Sequence, residues 1–398
     1  MNTLLKFILL VLTVTGIGFV LVVGCDSSPE LDDTEKNAPD STLSVGLPET
    51  DWSIYRGNPG LLGTSQAYLP NSLTLLWRFE TQDEIKSSAV IDANRVYIGS
   101  SDEHVYCLDL TTGEEVWSFE ADDGIESPPT VKQDTVFIGS LYGSLYALDA
   151  TNGQEKWRHE ADGQIAGAAN WITLPTGETA VLVGSHDSRV YCLDTQTGQP
   201  VWSFETESYV NGTPAVSNQW CTFGGCDAAL YIVRLADGNE VGRIDTGSYV
   251  AASAAFEDDR IYVGNYDGLF ICAQVGEPNA LWDYQIPGGA IFSSPAVGEE
   301  VVVFGDRDKQ VHCLDKTNGE KRWIYKALDN VDSSPVICGD KVVFGSDDGR
   351  LYMISLAEGK KVWSYELGQP ITSSPAVAQG LVIVGCDDGF LYAFGSKP

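Results

Sequence analysis

Basic residues are scarce in this sequence: 24 lysines and arginines face 56 aspartates and glutamates, for a formal net charge of −32. A surface that acidic repels phosphate, and no run of lysine and arginine offsets it, which argues against a nucleic-acid partner. Histidine is scarcer still. His104, His159, His186 and His312 are scattered singly, and Cys-x-x-Cys is missing, so no zinc or other metal site is expected. A nucleophile elbow of the form Gly-x-Ser-x-Gly is also missing.

Glycine, by contrast, is abundant, with 41 of 398 residues. Much of it belongs to one repeated hairpin. Ala147-Leu-Asp-Ala-Thr-Asn-Gly-Gln-Glu-Lys-Trp157 is an alternating strand, a Thr-Asn-Gly turn that tolerates positive φ, and a return strand carrying tryptophan. The pattern returns at Cys107 to Trp117, Cys192 to Trp202 and Cys313 to Trp323, with weaker copies ending at Trp282 and Trp363. Tryptophan therefore stands at Trp77, Trp117, Trp157, Trp202, Trp282, Trp323 and Trp363, with Gly242 where an eighth would be. The steps are 40, 40, 45, 40, 40, 41 and 40 residues. A period of this length denotes a repeat architecture. Inner strands of small residues, such as Ser293-Ser-Pro-Ala-Val297, begin near 85, 125, 165, 210, 250, 290, 331 and 371, which makes eight units of four strands.

The motif Ala-x-Asp-x-x-Thr-x-Gly-x-x-x-Trp resembles the tryptophan-docking motif of the quinoprotein-type propellers. That family includes pyrroloquinoline quinone dehydrogenases and the BamB-like lipoproteins of outer-membrane barrel assembly. The resemblance covers residues 76 to 394. With the strand count it implies an all-β, eight-bladed propeller of four-stranded antiparallel blades. Leu75 to Thr81 is a lone outer strand, while the C-terminus supplies three strands and stops; the first strand is expected to complete the last blade and remove both free edges.

The chain begins with one lysine and an uncharged apolar run from Phe7 to Gly24, as a secretion signal would. Val22-Val23-Gly24-Cys25 resembles a bacterial lipobox, with Cys25 as the lipidated first residue of the mature chain. The alternative is an uncleaved anchor, since Leu4 to Val23 approaches the ~20 residues that span a bilayer. A spanning helix, however, has no need of a Gly-Cys pair. Residues 26–50 hold seven acids and one lysine and cannot bury a core. They form a tether with a mean reach of roughly 25 to 30 Å. The expected organisation is a signal peptide over 1–24, a lipidated acidic tether over 25–50 and the propeller over 51–398. The protein would face the periplasm. Asp26 after the cysteine favours inner-membrane retention under the rule of enteric bacteria.

The repeated tryptophans are expected to wedge each blade against the next, burying some 150 to 250 Å² apiece. Asp102, Asp187, Asp227, Asp267, Asp308, Asp348 and Asp388 stand before the third strand, where aspartate serves the turn and not a metal. Cys107, Cys192, Cys272 and Cys313 share one repeat position in different blades and act as apolar fillers, whereas Cys221 and Cys226 are close enough in sequence to pair or to stay free. Quinone dehydrogenases of this fold use vicinal cysteines against the cofactor. No two cysteines here are adjacent and the loops are short, so the resemblance implies a non-catalytic, monomeric propeller without cofactor.

The expected role is a membrane-anchored scaffold for protein partners in outer-membrane protein assembly. The alternatives are a quinone-dependent oxidoreductase and a cell-surface module that binds sugar or peptide. The fourth and fifth units depart most from the repeat: Arg234 and Gln274 replace the motif aspartate, and Gly242 replaces tryptophan. Tyr209, Tyr249 and Tyr266 fall in loops of one ring face, and with Arg234 they are the candidate partner-binding residues. Rigid tyrosines supply contact area at low entropic cost.

Overall fold

A computed structural model describes residues 51–396. The expected signal peptide, Cys25, Asp26 and the expected tether lie outside the described residues. The chain builds eight four-stranded antiparallel sheets, seven from consecutive strands and the last completed by Thr74–Glu80, and one sheet gains a short parallel fifth strand, Thr64–Ser65. The first blade comprises Val90–Asp92, Arg95–Gly99, His104–Asp109 and Glu115–Glu120.

Where the motif aspartate is present, it organises the hairpin. In the second blade Asp149 Oδ1 accepts the Thr151 amide at 2.9 Å. Its carbonyl accepts the amide of Gly153 at 2.8 Å, and Gly153 adopts a φ of 73° that favours glycine. A register shift between Glu155 and Trp157 then turns the tryptophan toward the next blade. The 45-residue step reflects a longer turn, Leu174 to Glu178, between the first two strands of the third blade.

The indoles dock as expected. Trp117 Nε1 donates to Ala150 O at 3.1 Å, Trp202 to Leu235 O at 2.9 Å and Trp323 to Leu356 O at 2.7 Å, each acceptor lying on the following blade. The motif glycine lies on the ring, and a Cβ at Gly153 would come within 2.6 Å of Trp117 Cε3. Opposite each docked indole the third strand keeps a small residue: Cys107 faces Trp117, Ala147 faces Trp157, Cys192 faces Trp202, Cys272 faces Trp282 and Cys313 faces Trp323, whereas Met353 faces the undocked Trp363. The cysteine repeat thus has a steric origin. Where Gly242 replaces tryptophan, Ile232 stands opposite.

Ring closure follows the same geometry. Thr74–Glu80 is the outer strand of the last sheet, beside Phe390–Gly395, Leu381–Gly385 and Ala376–Ala378, with Trp77 opposite Ala393. Trp77 then donates to Leu110 O at 2.9 Å on the first blade. Trp363 has no such turn to enter, because the last blade ends with the N-terminal strand; it packs on Tyr365 and Phe394.

One element is not anticipated by the repeat. Residues 52–65 form a strap around the exits of the inner strands, touching the blades in chain order. Trp52 pairs with Ile91, and Ser53 O, Pro59 O, Gly60 O, Leu62 O and Gly63 O accept the amides of Val131, Val216, Phe256, Val297 and Ile337 at 2.7 to 2.9 Å. Asn170 reaches Pro59 O at 2.7 Å, and Ser65 Oγ reaches Val377 O at 2.7 Å, so every blade is held.

Candidate functional site

The strap closes one end of the central channel and leaves the other open. At the closed end Arg56, which is 1% exposed, has a left-handed φ of 64°. Its guanidinium donates to the carbonyls of Ser334 at 3.1 Å, Pro295 at 3.0 Å and Pro335 at 2.6 Å. Burial lowers its pKa to about 10, which leaves it charged at neutral pH. Tyr55 OH lies beside Ser294 Oγ at 3.4 Å and Ser334 Oγ at 3.2 Å, forming the floor of a cavity of about 310 Å³.

Small inner residues allow the strands to approach the axis, and their hydroxyls link one blade to the next. The amide of Ala168 donates to Thr213, Thr213 to Ser253, Ser253 to Ser294, Ser294 to Ser334, Ser334 to Ser374 and Ser374 to Ser88, at 2.8 to 3.1 Å. Pro128, which has no N–H, interrupts the circle in the second blade. Above this layer the mouth carries Lys86, Glu126, Asn211, Phe292, Asp332 and Thr372. Lys86 is paired with Glu84 at 3.0 Å and with Glu126 at 3.5 Å, and Arg307 is held by Asp332 at 2.6 Å. Beyond these pairs Asp347 is pushed up to about 6, first by burial and then by Asp332.

Tyr209, Tyr249 and Tyr266 all lie on this open face. Tyr249 and Tyr266 stack at 4.3 Å, and Tyr266 meets Phe292 edge-on at 5.8 Å. The Arg307 guanidinium lies 3.5 Å over Phe292. Tyr209, 53% exposed, stacks on His186 at 5.2 Å. Two further aromatics share the face and were not singled out from sequence: Phe292, and Tyr142, which is 67% exposed. Tyr142 occupies the gap in the aspartate series between Asp102 and Asp187, and that gap was the signal. Arg234 is not brought to the tyrosines. It ends the third strand of its blade at the opposite face and pairs with Asp237 at 2.9 Å in the hairpin turn. Grouping it with them was an error of topology, since consecutive loops of a meander alternate between faces.

The repeated aspartates act within their turns. Asp348 Oδ2 accepts Tyr352 OH at 2.6 Å and the Leu328 amide at 3.0 Å; Asp388, Asp187 and Asp227 accept the tyrosine four residues on in the same way. Among the described residues no group of histidine, cysteine and carboxylate side chains is arranged to hold a metal. Cys221 is buried, Cys226 is exposed, and both thiols are free. The mouth also fits the quinone poorly: pyrroloquinoline quinone is a polycarboxylate, and here it would meet Glu126 and Asp332, while Lys86 and Arg307 are already paired.

The family profile described as "Beta-alanine-activating enzyme, beta-propeller" matches residues 168–397, and that described as "Outer membrane protein assembly factor BamB" matches residues 64–202. Outer membrane protein assembly factor BamB of Shewanella oneidensis is 27% identical over 79 residues, 20% of this chain and 20% of that protein, so the match spans about a fifth of that relative's length. The crystal structure of BamB from Moraxella catarrhalis superimposes with a TM-score of 0.69 at 18% identity, covering 82% of this chain and 98% of that one. Quinohemoprotein alcohol dehydrogenase from Comamonas testosteroni gives 0.74 at 13% identity, over 88% and 81% of the two chains. At these identities the superpositions establish likeness of fold alone.

Proposed function

Because this chain belongs to the pyrroloquinoline quinone-like, BamB-like family of β-propellers, we propose that it is a non-catalytic scaffold that binds protein partners at the cell envelope, in outer-membrane protein assembly. The observation that carries this reading is the asymmetry of the ring. One end of the channel is filled by the strap, whereas the other is an open, acidic face on which Tyr142, Tyr209, Tyr249, Tyr266 and Phe292 stand on short, rigid loops. Preordered aromatics are the residues from which interface hot spots are made. The lipobox at Cys25 and the acidic tether supply the rest of the proposal: a periplasmic propeller anchored to a membrane by lipid, with Asp26 favouring the inner one. The test is capture of envelope proteins by cross-linking in intact cells. Changing Tyr209 and Tyr249 together to alanine should weaken capture and leave the melting temperature within a few degrees. Unaltered capture would overturn the assignment of this face.

A further inference from the structure

The eight blades do not present the same chemistry to the channel. Ser88, Thr213, Ser253 and Ser374, 2 to 6% exposed, each accept one backbone amide at 2.8 to 3.0 Å, and their own O–H groups have no acceptor among the described residues. All four line the cavity above Tyr55. Thr213 and Ser253 belong to the fourth and fifth blades, and Ser374 and Ser88 to the eighth and first, so two pairs of unused donors stand across the ring from each other.

The remaining blades differ. Ser294 and Ser334, on the sixth and seventh, share Tyr55 OH at 3.4 and 3.2 Å. Across from them, on the second and third, Pro128 and Ala168 stand in the hydroxyl positions and offer no polar side chain. At the mouth the charges are already matched, Lys86 with Glu126 at 3.5 Å and Arg307 with Asp332 at 2.6 Å. A ligand with a net charge would find no free partner there, whereas the buried hydroxyl donors still call for acceptor oxygens.

We propose that the channel above Tyr55 binds a neutral polyhydroxylated ligand of monosaccharide size. At about 310 Å³ it lies at the small end of ligand sites, which run from ~300 to 1,000 Å³. A pyranose fits the pattern, because its oxygens surround an apolar frame. Oxygens at one end accept from Thr213 and Ser253, those at the other from Ser374 and Ser88, and C–H groups pass Pro128 and Ala168. The sugar's own hydroxyl hydrogens find acceptors in the remaining lone pairs of the serine oxygens. The matched charges at the mouth disfavour a sugar acid. This site lies below the exposed tyrosines and is independent of the partner proposed for them.

The test is methyl NMR of the full-length protein. In separate titrations with D-glucose, D-galactose and D-mannose at millimolar concentrations, at least one hexose should shift the methyls of the channel residues Ala166, Ala168 and Ala252 saturably. D-Glucuronate, of similar size but negatively charged, should bind about tenfold more weakly, since the mouth offers it Glu126 and Asp332. Ser253→Ala and Ser374→Ala, on opposite sides of the ring, should each weaken the hexose about tenfold, the value of one hydrogen bond. No saturable shift with any of the three hexoses would overturn the proposal and leave a channel that holds only water. So would equal binding of D-glucuronate, or a serine variant that melts with the wild type and binds undiminished. The wild-type titrations decide the matter even if both serine variants unfold. No partner protein takes part, so a negative result leaves the reading of the tyrosine face untouched.

Discussion

The amide of Ser374 donates to Ser88 Oγ at 2.9 Å, joining residues 286 positions apart in the chain. This is the inner seam of a ring whose outer seam is the strand Thr74–Glu80 on the last sheet. Deleting residues 1–82 removes the strap and the closing strand together and leaves the edge of Phe390–Gly395 without a partner. The expected result is a broadened calorimetric transition at lower temperature, whereas deletion of 26–50 leaves melting unchanged. Identical transitions for the two truncations would count against closure.

Arg56 should be among the costliest residues to lose. Arg56→Met leaves three buried carbonyls without their shared donor, and chemical denaturation should report a loss of about 3 kcal/mol. Arg56→Lys should recover only part of this, since one ammonium cannot span the carbonyls of Pro295, Ser334 and Pro335 as the planar fork does.

The docking tryptophans and the turn tyrosines should separate by magnitude. Trp117→Ala empties a blade interface and removes an N–H···O bond, for a loss of about 3 to 5 kcal/mol. Tyr352→Phe keeps the packing and removes only the bond to Asp348, for about 1 kcal/mol. Thermal melts of the two variants decide the order.

Asp347 gives a pH dependence with a definite sign. Burial, followed by Asp332, raises its folded pKa to about 6, above the ordinary aspartate value of 3.8. Between those two values the folded chain binds the proton more tightly than the unfolded chain does. This contribution is most favourable below the lower value, declines as pH rises toward about 6 and is constant above it. Asp347→Asn, which never charges, should match the wild type in acid and be more stable at neutral pH. A difference in melting temperature that does not grow with pH would contradict this.

The ring was legible because its determinants recur. The Asp-Thr-Gly turn and the tryptophan recur in most blades at a constant step, so period alone gives the blade count and, from the orphan strand at Leu75, the closure. The strap's path was not legible, because it bonds mainly through its own backbone carbonyls, which leave no trace in side-chain pattern. At the candidate site Tyr209, Tyr249 and Tyr266 could be assigned to one face by counting loops. Phe292 could not, because the mouth position it occupies carries lysine, glutamate, alanine, asparagine, aspartate or threonine in other blades and so has no common chemistry to follow.

The strap also has an arithmetic consequence. Propellers can gain or lose blades by duplication or deletion of a repeat, since each blade meets its neighbours through the same contacts. Here the segment from Trp52 to Ser65 assigns one contact to each inner strand in turn. A ninth blade inserted anywhere would find the ring willing but the strap one contact short, and a lost blade would leave it with slack. The number of blades in this protein is therefore written twice, once in its repeats and once in the length of a segment that is not a repeat.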